Sequence, residues 1–371
     1  MAVSEDVSAT TSTTESVSGH HGALSIQQRW PADSLTEVKP VPTLEMVAAL
    51  AGVSRATVSR VVNSSPKVTP QIAEVVNNAI AQLNYVPNRA ARSLASRRTQ
   101  AIALVVPEST AKLFTDPYLA SVIQGIALAL ADTEYTLNML ISSDTRAEKT
   151  RRYLLGGNVD GALVVSHHSG DQSFGHLGQS LPVVFGGRPL LPGESSSYFV
   201  DVDNAAGAAG ATAHILSTGR RQIATIAGPQ DMPPGVDRLN GWRRTLAMHG
   251  LDQSLVEYGD FTPLSGAAAM RRLLDRGRPI DGLFVANDQM AAGAYSVIYE
   301  RGLTIPGDIA VAGFDDNYFG ATSTPPLTTV HQPSHELGAM MAEILMALIE
   351  GKPAPRVTLL PTTLLVRAST G

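Results

Sequence analysis

From Thr99 onward the chain repeats one rhythm: a short apolar run, a polar break, then a stretch with apolar residues at helical spacing. AIALVVP is followed by YLASVIQGIALALAD, TLNMLIS by EKTRRYLLGGNVD, and GALVVS by LPVVFGG and SYFVDVDN. AAGAAGATAHILSTG, RQIATIAG, GWRRTLAMHG, GAAAMRRLLDRG, DGLFVANDQ, GAYSVIYERG and IAVAGFDD continue it. Apolar strands alternating with helices need both sheet faces covered, which means an α/β fold of parallel sheets. The run outlasts one ordinary doubly wound sheet, so two lobes are expected. In such sheets ligands sit at the carboxyl ends of strands, and a cleft between lobes is the default site.

The strand ends carry residues suited to a small polar ligand. Asp201 and Asp203 follow SYFV, Asn287 and Asp288 follow LFVA, and Asp315 and Asp316 follow VAGF. Arg238 lies in GPQDMPPGVDRLNGW, Phe261 in YGDF, Phe314 just before the aspartates and Gln332 in VHQP. Planar amides, carboxylates and an arginine around aromatic faces are the groups that hydrogen-bond sugar hydroxyls. Any one Asn or Asp here reads equally well as a loop or cap residue. The set is the signal.

A different pattern precedes this body. Thr43 is an N-cap candidate for TLEMVAALA, Gly52 stops that helix, and Ser54 caps SRATVSRVVN. A third helix follows Pro66 and Thr69, with Ile72, Val75, Val76, Ile80 and Leu83 as its apolar stripe. Two short helices joined at a glycine and followed by a packing helix make a helix-turn-helix. Such a bundle with a solvated face is the bland alternative. Against it stands charge: seven bases (Arg55, Arg60, Lys67, Arg89, Arg92, Arg97, Arg98) face two acids (Glu45, Glu74) between Thr43 and Arg98, while the whole chain carries −5. A basic module on an acidic body suits a polyanion held at one end. Ser54, Thr57, Ser59 and Asn63 are short donors that reach phosphates or seat the second helix, and its arginines read bases. Lys67 belongs to the same basic surface. In NYVPNRAARSLASRRT, Pro87 ends the third helix and Asn88 caps another of about two turns, too short to be stable alone in water.

Other chemistries find little support. Cysteine is absent, so there is neither disulfide framework nor thiolate chemistry, and a reducing compartment is allowed; the location expected for the chain is cytoplasmic. No apolar run reaches bilayer length. The first 40 residues, rich in Ser, Thr and acids, lack the regions of a secretory signal and read as a disordered tail. GxSxG, HExxH and Walker A motifs do not occur, so no catalytic residue, metal or cofactor is expected. His167 and His168 are adjacent and cannot share a helix face as metal ligands; both read as loop residues.

AGVSRATVSRVVN and YVPNRAARSLA resemble the LacI family of bacterial repressors, and the likeness runs from Thr43 nearly to the last residue. TLEMVAALAG, NRAARSLASRRT, FGGRPL, YFVDVDN and IATIAGPQDM with YGDF resemble most its cello-oligosaccharide-responsive members in actinobacteria, of the CebR and CelR type. The resemblance implies that Arg55, Ala56 and Arg60 lie in the major groove. It implies that Asn88–Ser96, with Arg89, is a hinge helix paired with its dimer mate in the minor groove, where Leu94 wedges a base step. It implies a periplasmic-binding-protein-like core in which Arg238, Asn287 and Asp315 grip the ligand. Phe261 is then an aromatic platform and Gln332 stands at a crossing. Gly186 departs from the polar residue of some relatives, and the missing side chain is expected to admit a larger ligand.

The expected organisation is a tail over 1–40, a helix-turn-helix domain over 41–86, a hinge over 87–98 and a ligand-binding core over 99–371. Within the core the N-lobe takes about 99–201 and 329–351, and the C-lobe about 202–328 and 352–371. The expected protein is a repressor released by cellobiose or a related sugar and not an enzyme. Its partners are palindromic operator DNA, the sugar and a second copy, with no membrane. One helix-turn-helix buries too little groove for tight binding, and no heptad segment follows the last strand, so a homodimer is expected. A free-standing sugar-binding protein without a regulatory DNA role, a repressor responding to a different sugar and an enzyme on the same body remain the alternatives.

Overall fold

The structure, a computed structural model, describes residues 41–63, 65–86, 98–141, 147–169, 177–189 and 197–371. The expected tail and the hinge residues Asn88, Arg89 and Leu94 lie outside the described residues. The chain divides into two compact units, residues 1–87 and 88–371.

In the first unit, α1 (Leu44–Ala51), α2 (Arg55–Val62) and α3 (Pro70–Leu83) enclose Val47, Ala48, Val58, Val76, Ala79 and Tyr85. The Thr43 hydroxyl accepts from the Met46 amide at 3.3 Å and opens α1. Gly52, at φ +65°, closes it in a conformation that only glycine adopts freely. Ser54 accepts from the Thr57 amide at 3.1 Å and opens α2. The expected stripe on α3 holds only in part. Val76 is buried, but Ile72 and Val75 are 38% and 49% exposed. The eight-residue helices α1 and α2 are too short to cover the first turns of a fourteen-residue α3.

The second unit contains two sheets of six strands. The first is built from β1 (Ala101–Val106), β2 (Thr136–Ile141), β3 (Gly161–Val165), β4 (Val183–Gly186), β5 (Tyr198–Val202) and β11 (Val357–Leu360), in the order β11-β5-β4-β3-β1-β2. The second is built from β6 (Ile223–Ala227), β7 (Val256–Tyr258), β8 (Gly282–Val285), β9 (Ala310–Asp315), β10 (Thr328–His331) and β12 (Thr363–Leu365), in the order β12-β10-β9-β8-β6-β7. All pairings are parallel except β10 with β12. Every residue of β1, β3 and β6 is buried, because helices cover both faces. Each large apolar side chain buried this way contributes about 1.5–3 kcal/mol relative to exposure.

Helices α4 (Thr110–Thr115), α5 (Pro117–Leu130), α6 (Ala147–Leu155) and α12 (Ser334–Ile349) belong to the first lobe. Helices α7 (Asn204–Ser217), α8 (Pro233–Met248), α9 (Pro263–Asp275), α10 (Asp288–Glu300) and α11 (Tyr318–Thr322) belong to the second. Pairs α5 with α12 and α7 with α8 pack closely. A Cβ at Gly125 would run into the His335 carbonyl, and one at Gly241 into the Ala205 carbonyl.

The lobe boundaries differ from the sequence expectation. That expectation places residues 329–331 in the N-lobe, yet β10 pairs with β9 in the second sheet. It also gives the end of the chain to the C-lobe as one strand, yet the end forms two. β11 joins the first sheet beside β5, and β12 runs antiparallel to β10 in the second. Pro361 lies between them; its missing amide and fixed φ interrupt the apolar run VTLLPTTLLV, and the halves pair with different sheets. The backbone therefore crosses between lobes after β5, after β10 and after β11.

Candidate functional site

The residues expected to meet DNA lie on and beside the outer face of α2. Ser54, Arg55, Ala56, Arg60, Asn63 and Lys67 are exposed, while Thr57 and Ser59 are half-buried. The short polar side chains brace the helix. Ser54 and Thr57 share a hydroxyl hydrogen bond of 2.9 Å, and the Asn63 amide donates to the Ser59 hydroxyl at 3.5 Å. Arg55 pairs with Glu45 of α1, Nε to Oε1 3.1 Å. Arg60 meets no carboxylate among the described residues, so its planar fork is available to a base edge.

In the second unit a cleft of about 630 Å³ opens between the lobes, at the carboxyl ends of both sheets. Gly186, Arg238, Phe261, Asn287, Asp315 and Gln332, each singled out from sequence, all line it. Arg238 is its centre. The side chain rises from the second turn of α8 and is 4% exposed. Its Nε donates to Asn204 Oδ1 at 2.9 Å, and its Nη1 to the Ala286 carbonyl at 2.6 Å and to Asp315 Oδ1 at 3.3 Å. The guanidinium carbon stands 3.7 Å from the Phe314 ring centroid and 5.9 Å from that of Phe261. Stacking on an aromatic face holds the guanidinium in place in the cleft wall it helps to line.

The partners are held by the elements that carry them. Gln332, just after β10, donates to Asp315 Oδ1 at 2.6 Å. Asn287 caps α10 by accepting from the Met290 amide, and its own amide donates to the Phe261 carbonyl at 3.1 Å. Phe261 and Asp315 sit at φ +71° and +108°. Non-glycine residues in that region are strained, and such strain concentrates at ligand sites. Burial pushes the Asp315 carboxyl up to about 7, with Arg238 pulling the other way. Burial also raises Asp201 and Asp116 and lowers Arg238.

The strand-end acids divide by role. Asp288 is fully buried behind the cleft, accepting from the Thr329 hydroxyl at 2.6 Å and the Asn317 amide at 3.0 Å. Asp316 pairs with Arg367 at 2.6 Å, and Asp203 caps α7. Asp201 stays in the cleft wall, bonded to the Arg188 amide and to Asn204.

Gly186 lines the cleft with backbone only. A Cβ there would lie 2.9 Å from Met341 Sδ and 3.0 Å from Val165 Cγ1, on the face that packs against α12. The expectation that its missing side chain enlarges the ligand space is therefore wrong: side chains alternate along β4, and position 186 points into the core. The next residue, Gly187, at φ +94°, is the one whose Cβ would meet only His167 Nε2, at 3.8 Å. Gly186→Ala should cost about 1–3 kcal/mol of stability in urea unfolding and leave the ranking of ligands by size unchanged.

Several lining residues escaped the sequence reading. Tyr118, Asp116 and Lys112 come from α4 and α5, and Ser166 and His167 from the loop after β3. Tyr118 follows the Asp-Pro pair that starts α5, and nothing in its own spacing marks it. His167 is a loop residue as expected. Burial pushes it down to about 4, and its Nε2–H donates to the Gly187 carbonyl at 3.2 Å. Among the described residues no cluster of three His, Asp or Glu is placed to hold a metal ion, and no helix is long and apolar enough to cross a membrane.

A helix-turn-helix with a basic reading helix, joined to a two-lobed core with a polar cleft, defines a ligand-responsive DNA-binding regulator. Residues 43–88 match the family described as "Bacterial regulatory proteins, lacI family", and residues 212–370 match "Periplasmic binding protein-like domain". The HTH-type transcriptional regulator CelR of Thermobifida fusca is 47% identical over 334 residues, covering 88% of this chain and 98% of that one. The chain belongs to the LacI family and is a transcriptional repressor of that kind. A solved transcriptional regulator CelR–cellobiose complex is similar at a TM-score of 0.70 and 45% identity, over 88% of this chain and 99% of that one. The lac repressor dimer bound to operator and the anti-inducer ONPF gives 0.79 at 29% identity, over 89% and 99%.

Proposed function

We propose that this repressor, working as a cytoplasmic homodimer without enzymatic activity, leaves a palindromic operator when cellobiose or a related cello-oligosaccharide fills the cleft. The genes it controls then serve sugar uptake and glycoside breakdown. The carrying observation is the chemistry of the cleft wall. Arg238 is matched by Asp315 and Lys112 by Glu108, so no unopposed cation among the described lining residues awaits an anionic ligand. Amides, carboxylates and the Phe261 face favour a neutral molecule dense in hydroxyls. The choice of a β-glucoside rests on likeness to a relative whose solved complex contains cellobiose.

In this reading Arg55, Ala56 and Arg60 meet bases, and Ser54, Thr57, Ser59, Asn63 and Lys67 meet phosphates or seat the helix. Asn88, Arg89 and Leu94 belong to a hinge helix that forms only in the dimer on DNA, with Leu94 as an apolar wedge. The hinge precedes β1 and so moves with the N-lobe. A sugar that binds one lobe orientation better separates the hinge helices and melts them. Coupling of about 1–3 kcal/mol lowers operator affinity about 5–150-fold. Calorimetric titration with a panel of mono- and disaccharides tests the ligand. Cellobiose should bind and glucose 6-phosphate should not; the reverse order sinks the reading of the cleft.

A further inference from the structure

Two charged pairs tie the lobes together at the rim of the cleft. His168, in the loop after β3, places Nδ1 2.8 Å from Asp231 Oδ2, in the loop before α8. The Ser169 amide donates to the Asp231 carbonyl at 2.8 Å, so backbone reinforces the same contact. Arg188, just after β4, reaches Asp237 on α8 at 2.9 Å. We propose that these pairs form a latch that holds the lobes closed and makes effector affinity fall as the solution turns alkaline.

The proposal rests on the cleft being the effector site, and it adds a device that tunes closure. Partly exposed ion pairs contribute little to the stability of a fold. Two lobe orientations of similar free energy, however, are shifted in population by small terms. An effector that needs the closed state loses apparent affinity in proportion to the closed fraction.

His168 gives the latch its pH dependence. Its ring is held by Glu108, at 3.4 Å from Nε2, and by Asp231. Glu108 is shared with Lys112 at 2.6 Å and with the Ser166 hydroxyl at 2.7 Å, and His167 is the adjacent titratable ring. Hydrogen bonding to Glu108 and then to Asp231 raises the His168 ring to about 9. Glu108 lies on the same lobe and stays with the ring when the lobes part; Asp231 does not. The closed state therefore binds the proton more tightly than the open one. Closure is favoured while His168 is protonated, and that preference is lost as pH rises through about 9.

The chain has no cysteine, so a spin-label pair can be placed at the exposed Lys149→Cys on α6 and Met248→Cys on α8. Distances between the labels, measured without ligand, should show a closed fraction beside an open one at pH 7. That closed fraction should shrink in Asp231→Asn with Arg188→Gln, and in the otherwise native chain at pH 10. Cellobiose affinity should fall about fivefold under the same changes, near the low end of linkage couplings. Unchanged distances in the double variant overturn the latch. Shifted distances in a protein that never binds cellobiose uphold the latch and reject the sugar.

Discussion

Arg238→Ala should yield a repressor that still binds operator but no longer answers to sugar. The guanidinium is buried and joins Asn204, the Ala286 carbonyl and Asp315. Its loss removes ligand contacts and leaves the Asp315 carboxylate buried with Gln332 as its remaining partner. Breaking a buried charged pair costs about 3–5 kcal/mol, and each hydrogen bond to a charged group contributes about 1.5–3 kcal/mol. Cellobiose affinity should fall by about 30-fold or more, read by calorimetry. Asp315→Ala should act in the same direction. Operator binding is the internal control, because a variant that failed to fold would lose both activities. A variant that binds cellobiose as tightly as the parent would move the effector site elsewhere.

Arg60→Ala should lower operator affinity by about 1–3 kcal/mol, with most of the loss at operators carrying guanine where the side chain reaches. Arg60 is the stronger choice over Arg55, which must first give up its 3.1 Å pairing with Glu45. The check is a set of operators substituted one base pair at a time, titrated against parent and variant at fixed salt. The variant should lose preference at one position in each half-site. An equal fall on every sequence would make Arg60 a phosphate contact instead.

Local preferences make much of this fold legible in the amino-acid sequence. The caps at Thr43 and Ser54 and the stop at Gly52 are local hydrogen-bonding and conformational preferences, and the helices begin and end there. Strand-end Asn287 and Asp315 reach the cleft because parallel sheets deliver their carboxyl ends to one side. Less legible is anything set by non-local pairing. Whether VTLLPTTLLV supplies one strand or two depends on which sheet edges stand open, and those edges belong to β5 and β10, in different lobes. Gly186 shows the same limit: membership of the cleft follows from the strand end, but the direction of its missing side chain follows from register. Asp288 and Asp316 look like Asn287 and Asp315 in sequence, and only packing against Thr329 and Arg367 tells them apart. Lys112 and Tyr118, on α4 and α5, and His167, in the loop after β3, enter the site through tertiary packing that no periodicity encodes.

The most direct test of the whole reading is operator affinity of the full-length protein across a cellobiose titration, with Arg238→Ala run in parallel. The parent should be released, its apparent operator dissociation constant rising about 5–150-fold to a plateau, while Arg238→Ala stays bound throughout. If cellobiose leaves the parent's operator affinity unchanged, or releases both proteins alike, a cellobiose-gated cleft centred on Arg238 is wrong.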